Sequence, residues 1–195
     1  MKKIISLFKR DYGGESPKGK GDRLCYDEVV EGAEWVAAGE GAATRKWDGT
    51  CCMIRAGRLY KRFDAKHGKT PPSGFEPAQE PDPITGHWPG WIAVGDGPED
   101  RWHCEGLANT EGQLADGTYE LLGPKVQGNP ECFIKHMLVR HGTEELLAPR
   151  GFDALRGFFA DNDMEGVVWR HPDGRMVKVK AKDFGIKRRQ QALAS

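Results

Sequence analysis

The chain has 195 residues, a length that suits one domain and can bury a sizeable core. Lysine plus arginine and aspartate plus glutamate both number 29, so the net charge is zero and any nucleic-acid role must depend on local basic patches. The apolar run near the start is too short for a signal sequence and no apolar segment reaches membrane length, so the protein is expected to be soluble and cytoplasmic. The five cysteines show no C-x-x-C spacing, so their pattern indicates neither a disulfide framework nor a zinc site.

Turn-forming residues divide the first third of the chain. Residues 11–22 are rich in glycine, serine, proline and lysine and predict a loop. Tyr26–Ala38 carries apolar residues at mixed helical spacing, which predicts a short helix or a helix combined with a strand. Gly39–Gly41 ends this element. Cys51–Arg55 and Leu59–Phe63, joined by three residues, predict a hairpin.

Residues 66–97 are dense in proline and glycine and predict an irregular excursion from the domain. Because aromatic residues are uncommon in disordered linkers, Trp88 and Trp91 favour an ordered excursion that packs back on the domain. Nucleic-acid bases stack on tryptophan faces, so this segment could hold RNA or cover an active site. A satellite hydrophobic cluster beneath the loop is the alternative, and it is favoured.

The second half alternates strands with one clear helix. Arg101–Ala108 and Thr118–Leu122 are predicted to be neighbouring strands. Glu105, in the first of them, is expected either in a salt bridge, which is favoured, or in an active site. Phe152–Phe159 has the spacing of an amphipathic helix, so its phenylalanines are assigned to the core. Glu165–Arg170 and Arg175–Lys180 flank a Pro-Asp-Gly turn signal and predict a second hairpin.

The heptapeptide Thr44–Thr50 places Lys46, Asp48 and Gly49 just before a predicted strand. A lysine is a nucleophile only when its amine is neutral, which desolvation or nearby positive charge promotes. Glycine allows a close approach of the backbone to a ligand, or a tight turn. Taken alone, the tetrapeptide Lys46–Gly49 is also typical of a charged turn before a strand.

Four charged residues further along accompany this lysine. Glu120 and Glu165 each lie in or beside an apolar run, and Lys178 and Lys180 are spaced by two residues. Period two places both lysines on one face of a strand, where by themselves they could simply be its solvent-facing side. The ordered set of one lysine, two glutamates and a lysine pair is far more specific than any of its members.

This ordered set resembles the covalent nucleotidyltransferase superfamily of ATP-dependent ligases and capping enzymes. Lys46–Gly49 matches its first motif, Glu120 its third, Glu165–Gly166 its fourth, and Lys178 with Lys180 its fifth. The segment Gly117–Pro130 is similar to the small single-domain 5′-to-3′ RNA ligases. The resemblance covers about Asp22 to Arg189.

The resemblance implies an α+β fold and a single domain over residues 1–195. We expect an ATP-grasp-like nucleotidyltransferase domain of antiparallel sheets flanked by helices, with the nucleotide between them. DNA ligases and capping enzymes usually carry arginine where this chain has Cys51, and they append an OB-fold for which the fifteen residues after Lys180 leave no room. Both departures favour an RNA ligase without an OB-fold.

The resemblance also implies the chemistry. Lys46 would attack ATP and become lysyl-AMP, while Lys178 and Lys180 would neutralise the α-phosphate. Glu165 would hold Mg²⁺, or Mn²⁺ in its place. Glu120 would accept a hydrogen bond from the ribose and help to hold Lys46. Asp48 would orient the nucleophile. Arg62 would contact the nucleotide or its phosphates, although it could instead be an ordinary exposed strand arginine. The other expected ATP-binding residues are Arg45, Trp47 and Gly49. The aromatic residue that stacks on the purine is not assigned, although Phe133 and His136 lie in the right interval.

RNA ends with a 5′-phosphate and a 3′-hydroxyl are the expected partners. A basic helix over Asp183–Leu193, with Lys187, Arg188 and Arg189, is the predicted RNA contact. Three alternatives remain: a nucleotidyltransferase that acts only on 5′ ends, as capping enzymes do, a DNA ligase, and a non-catalytic RNA-binding module. The third is disfavoured because a binding module has no need of a desolvated lysine beside carboxylates.

Overall fold

The computed structural model describes residues 4–11, 24–66, 68–83 and 86–189. The fold is mixed α+β, with mostly antiparallel sheets and few helices. No helix in these ranges is long and apolar enough to cross a membrane. The elements, in chain order, are strands and helices β1 Ile5–Ser6, β2 Phe8–Arg10, β3 Cys25–Val29, α1 Glu34–Ala37, β4 Ala42–Lys46, β5 Thr50–Arg55, β6 Arg58–Ala65, β7 Glu76–Pro77, β8 Trp88–Ala93, α2 Arg101–Asn109, β9 Gly117–Leu122, β10 Met137–Arg140, α3 Phe152–Asp161, β11 Gly166–Arg170 and β12 Met176–Lys180, with 3₁₀ turns at Pro98–Asp100 and Ala181–Phe184.

The chain divides into two compact units. The continuous unit is Asp48–His141, and the discontinuous unit combines Ile4–Trp47 with the chain from Gly142 onwards. Each unit has its own hydrophobic core. The single ligase domain over residues 1–195 stays a prediction.

The discontinuous unit is built on a four-stranded sheet in the order β1-β12-β11-β4. The β1–β12 pair is parallel, whereas β12–β11 and β11–β4 are antiparallel. The predicted hairpin at 165–180 is confirmed as β11 and β12. Val177 and Val179 of β12 are buried in the core with Leu155 and Phe159 of α3, which confirms the predicted amphipathic helix.

The structure bears on two predictions for this unit, one near the start of the chain and one near its end. A strand, β3, followed by helix α1 occupies Tyr26–Ala38, as the combined alternative has it. The predicted basic helix over Asp183–Leu193 is wrong within the described residues, because a 3₁₀ turn ends at Phe184 and Gly185 follows in the left-handed conformation with φ +77°. That conformation terminates helices. Residues 190–193 and nearly all of the predicted loop at 11–22 lie outside the described residues.

The continuous unit is built on a six-stranded antiparallel sheet in the order β10-β9-β5-β6-β8-β7. The predicted hairpin is confirmed as β5 and β6, and Ala56 and Gly57 turn between them with φ of 50° and 71°. Both positive φ values are those of the turn that matches strand twist. The buried faces of β5, β6 and β9 form the core, to which β10 adds Leu138.

Part of the segment predicted to be irregular, residues 66–97, is a strand. Trp88–Ala93 pairs with β6 along six residues, even though it contains Pro89 and Gly90. A Cβ on Gly90 would lie 2.3 Å from the Phe75 ring, so only glycine lets that ring pack here. Phe75 packs edge-on against Phe63 and Trp88, with ring centroids 6.0 and 5.2 Å away. The satellite hydrophobic cluster is therefore the alternative that the structure supports.

The prediction of a strand over Arg101–Ala108 is wrong, because this segment is helix α2. Pro98 opens a 3₁₀ turn that leads directly into the helix, a position where the missing N–H of proline is not needed. Gly106 faces β9, and a Cβ there would lie 2.4 Å from Leu121 Cδ1. The absent side chain at Gly106 thus lets the helix approach the sheet closely.

Candidate active site

Lys46 is the last residue of β4 and lies close to two lysines of β12, Lys178 and Lys180, and these three residues are called the lysine row. Across β11, Gly166 is paired with Lys46 on one side and with Lys180 on the other. Two residues further along β11, Val168 is paired with Thr44 on one side and with Lys178 on the other. Because side chains two residues apart share a face of the sheet, all three lysines project from the face opposite the valine core. The sheet brings the first and fifth motifs together.

Glu165, just before β11, joins this lysine row. Its Oε2 lies 2.5 Å from Lys46 Nζ, and its Oε1 accepts from Lys180 Nζ. The side chains of Glu165, Lys180 and Lys46 are 12%, 18% and 21% exposed. Water therefore screens these ion pairs less than it would on an open surface.

The electrostatics of the row reflect an excess of positive charge. Although burial opposes ionisation of Glu165, Lys46 and Lys180 hold its pKa below the usual value. The pKa of Lys178 is lowered to about 8, first by burial and then by the positive charges of Lys180, Lys46 and Arg10. Lys46 and Lys180 contact the carboxylate, and Lys178 adds a third amine on the same face, so this group of lysines favours an added anion such as a phosphate.

Arg10 was not predicted to be near the lysine row. Its guanidinium lies 2.9 Å from Asp183 Oδ1, and Asp183 Oδ2 accepts from the backbone N–H of Lys180 at 3.0 Å. Asp183 is 2% exposed and thus ties β2 to the end of β12. Nothing in the local pattern around Arg10 indicates this contact, because it depends on strand pairing over a long separation.

Arg45 and Trp47, predicted to bind ATP, contact each other. The Arg45 guanidinium lies 4.2 Å from the centre of the Trp47 ring and 3.4 Å from Glu144 Oε1. Arg45 also alternates with Lys46 along β4, so the two side chains leave opposite faces of the strand. Within its unit, Arg45 therefore lies away from the lysine row, and its role in ATP binding stays a prediction.

Glu120, in the continuous unit, is held by two neighbours. Its Oε1 accepts from the backbone N–H of Gly49 at 3.1 Å, and its Oε2 lies 2.7 Å from His141 Nε2. Gly49 is required for this approach, since a Cβ there would lie 2.3 Å from the carbonyl oxygen of Leu121. His141 was missed by sequence reasoning because it immediately follows β10 and belongs to no motif.

The other predicted ATP ligands of the continuous unit have partners within it. The backbone N–H of Asp48 donates to Glu131 Oε1 at 3.1 Å. Arg62 is half-buried over the Trp91 ring, at 5.2 Å from its centre, and burial lowers the pKa of its guanidinium. Arg62 is thus not simply an exposed strand arginine, and the two ATP-binding roles stay predictions.

His136 is buried in a structural cluster. It stacks on Trp102 with ring centroids 4.6 Å apart, and its Nδ1 lies 2.9 Å from Glu105 Oε1. Glu105, for which a salt bridge was the favoured expectation, is hydrogen-bonded to His136, and it lies on a helix instead of a strand. Trp102 covers one face of the imidazole, Glu105 contacts its Nδ1 edge, and the residue is 2% exposed, so His136 is a poor stacking partner for a purine.

The three basic residues of the predicted RNA contact differ in their surroundings. Lys187 and Arg189 are exposed, whereas Arg188 is 17% exposed and its Nε lies 3.2 Å from Asp163 Oδ1. Arg188 therefore contributes to local structure, and Lys187 and Arg189 remain the candidates for contact with a polyanion.

No protein-family model matches this chain. It is similar to a protein named RNA ligase 1 from Danio rerio, with 26% identity over 220 aligned positions that cover 75% of this chain and 68% of the relative. RNA ligase 1 from Mus musculus is 25% identical, with 74% and 67% covered, and that from Pongo abelii is 24% identical, with 73% and 67% covered. These distant relatives support the resemblance to RNA ligases.

Proposed function

We propose that this protein is an ATP-dependent RNA ligase that joins a 5′-phosphate to a 3′-hydroxyl through a lysyl-AMP intermediate. The observation that carries the proposal is the contact of one partly buried carboxylate, Glu165, with Lys46 and Lys180 on the face that also bears Lys178. The distant similarity to proteins named RNA ligase 1 supports RNA as the substrate.

In the first step the Lys46 amine attacks the α-phosphorus of ATP. A nitrogen–phosphorus bond forms, the bond to the pyrophosphate oxygen breaks and pyrophosphate leaves, and the amine loses its proton to solvent. Lys178 and Lys180 neutralise the charge that develops on the α-phosphate oxygens, which is the main contribution a protein makes to phosphoryl transfer. Glu165 is a poor proton acceptor because its pKa is lowered, so its role is to hold the lysines in place.

Glu165 is also the residue that would hold Mg²⁺, or Mn²⁺ in its place, because hard cations prefer carboxylate oxygens. The metal would supply further charge neutralisation at the phosphates. Each carboxylate oxygen is paired with a lysine ammonium, so an oxygen becomes available only when one lysine moves away or loses its charge. Lys46 loses its charge in the proposed first step, which makes the donor set compatible with this role.

In the continuous unit, Glu120 is proposed to accept a hydrogen bond from the ribose of the nucleotide, and Gly49 and His141 keep its carboxylate oriented. The second step transfers AMP from Lys46 to the RNA 5′-phosphate. In the third step the 3′-hydroxyl attacks that phosphate and expels AMP. Lys46 is regenerated when AMP leaves it in the second step.

The proposal is tested first by the intact mass of the protein after incubation with ATP and Mg²⁺. We expect one AMP per chain, stable to base and labile to acid, and absent in Lys46→Ala. Lys69→Ala, which removes an exposed lysine, is the matched control and should keep the adduct. An adduct that persists in Lys46→Ala would show that another residue is the nucleophile.

A joining assay then separates ligation from the alternatives. Broken or nicked RNA with a 5′-phosphate and a 3′-hydroxyl should be sealed, and all-DNA ends should not. Efficient sealing of an all-DNA nick would indicate a DNA ligase. Adenylylation without joining across several RNA ends would indicate an enzyme that modifies 5′ ends only, and RNA binding without adenylylation would indicate a non-catalytic module.

A further inference from the structure

Three potential metal ligands of different chemistry converge in the continuous unit. Cys51 of β5 is paired directly with Glu120 of β9. His141 follows β10, and its backbone N–H donates to the Thr118 carbonyl of β9 at 3.1 Å. These pairings bring a sulfur, a carboxylate oxygen and an imidazole nitrogen within 4.8 Å of one another.

Outer contacts already orient two of these ligands. Glu120 Oε1 accepts from the Gly49 N–H at 3.1 Å, which leaves Oε2 directed at His141 Nε2. The other ring nitrogen of His141, Nδ1, lies 3.0 Å from Thr118 Oγ1. Partners of this kind select the tautomer and the ring orientation of metal-bound histidines. The Glu120 and His141 side chains are only 9% and 12% exposed, so this arrangement is held in a largely buried place.

The donor set selects the class of metal. Thiolate, imidazole and carboxylate together suit Zn²⁺ and related transition metals, whereas Mg²⁺ and Ca²⁺ prefer oxygen ligands alone. Three protein ligands leave one position of a tetrahedral site for water or another small ligand. The Cys51 sulfur separates this cluster chemically from Glu165, which offers only oxygen.

We propose that Cys51, Glu120 and His141 bind one thiophilic divalent cation of the Zn²⁺ class. On binding, the Cys51 thiol loses its proton to solvent and the sulfur bonds the metal. The imidazole carries its proton on Nδ1, where Thr118 Oγ1 accepts it, and Nε2 bonds the metal. The cation thus replaces the hydrogen on His141 Nε2, which can bridge to Glu120 Oε2 when no metal is bound.

One consequence rests on the proposed function. If Glu120 holds the ribose of ATP, a cation bound to Glu120 competes with the nucleotide, and Zn²⁺ inhibits self-adenylylation at fixed Mg²⁺. Metal binding itself is measured without ATP, so failure of the ligase assignment and failure of the metal site give different results.

The test is a titration of the reduced, metal-free full chain with Co²⁺ in place of Zn²⁺. We expect one equivalent to bind with a thiolate-to-cobalt charge-transfer band in the near ultraviolet, and one equivalent of Zn²⁺ to remove it. Cys51→Ser should abolish the band, and His141→Ala should weaken binding at least about tenfold. Cys104→Ser and Cys132→Ser, which change exposed cysteines, are the matched controls and should leave the band intact.

Thr118→Ala, which keeps all three ligands, should weaken binding about tenfold without removing the band. If Cys51→Ser does not fold by circular dichroism, X-ray absorption of the Zn²⁺-loaded natural chain decides instead. It should show one sulfur at about 2.3 Å among lighter protein ligands. A natural chain without the band, a band that survives in Cys51→Ser, or a zinc environment without sulfur would overturn the proposal.

Discussion

At Glu165 one carboxylate is paired with two lysines, Lys46 and Lys180, and Lys178 adds a third amine on the same face of the sheet. Removing the carboxylate charge would leave three ammonium groups close together in a half-buried place. Glu165 is therefore expected to stabilise the folded chain as well as to serve the proposed reaction. The contribution to stability can be measured by itself, as the pH dependence of unfolding.

We expect Glu165→Gln to lower the free energy of unfolding at pH 7 by about 2 to 3 kcal/mol, because it breaks two partly buried ion pairs. The pKa of Glu165 is below its ordinary 4.5 in the folded state, so its contribution is complete above that pH and is lost as pH falls further. Urea unfolding at pH 7 and pH 3 measures the difference, which should shrink in acid.

Glu144→Gln is the matched control for Glu165→Gln, because Glu144 is paired with Arg45 but is 40% exposed. An exposed pair contributes below about 1 kcal/mol, so this variant should stay close to the natural protein. If both variants lose the same free energy of unfolding at pH 7, the partly buried ion pairs of Glu165 stabilise the chain no more than an exposed pair does.

Lys178 should make stability rise with pH. Its pKa is about 8 in the folded chain and 10.5 ordinarily, so between these values the unfolded chain binds more protons. The charged lysine opposes folding below pH 8 by about 3 kcal/mol, and this opposition is relieved up to pH 10.5.

Unfolding free energies of the natural chain and of Lys178→Met, measured from pH 7 to pH 10.5, test this expectation. The variant should be relatively most stable at pH 7 and should lose the extra slope above pH 8. Lys69→Met, at an exposed lysine, should keep the slope. Parallel profiles for the natural chain and Lys178→Met would contradict the lowered pKa of Lys178.

At the scale of the elements, the entry into β5 depends on the contact between Gly49 and β9. Gly49 was predicted to allow close approach of a ligand or a tight turn. In the structure the space above its Cα is filled by the backbone of β9 and the side chains of Glu120 and Leu122. The glycine thus brings its own N–H to Glu120, which orients the carboxylate on the neighbouring strand.

Gly49→Ala should therefore destabilise the chain by about 2 kcal/mol or more, because the Cβ meets backbone that cannot move aside easily. Gly157→Ala, in α3, is the matched control, since no atom lies within 4 Å of its Cβ position. Alanine in a helix should be neutral or stabilising by about 0.5 to 1 kcal/mol. Thermal unfolding of both variants measures this, and a Gly49→Ala chain as stable as Gly157→Ala would contradict the close contact.

For the whole molecule, a net charge of zero means that attraction to RNA must come from local groups. Lys187 and Arg189 are exposed, whereas Arg188 is paired with Asp163. If the tail contacts RNA phosphates, replacing both Lys187 and Arg189 with alanine should reduce the slope of log binding constant against log salt by about 1 to 2.

Self-adenylylation should be unchanged in this double variant, because the first step involves no RNA. Lys66→Ala combined with Lys69→Ala removes two exposed lysines from the other unit and serves as the control, with an unchanged salt slope. Arg188→Ala should instead lower stability. An unchanged slope in the Lys187 and Arg189 variant would show that the RNA contact lies elsewhere.

The outcomes that the sequence predicted correctly depend on neighbours along the chain. The alternation of valine and lysine in β12 predicted which side chains share a face, and the turn signals at residues 56–58 and 171–174 predicted both hairpins. The spacing in Phe152–Phe159 predicted α3. These patterns are local, since the period of a strand or helix is set by backbone geometry within a few residues.

The tertiary structure alone decided which distant groups meet. Strand register placed Glu165 between Lys46 and Lys180, and it brought His141 to Glu120. It also decided that the proline-rich segment adds strand β8, where Gly90 leaves room for the Phe75 ring. Pairing over long separations depends on the burial and register of whole strands, which no short window of sequence contains.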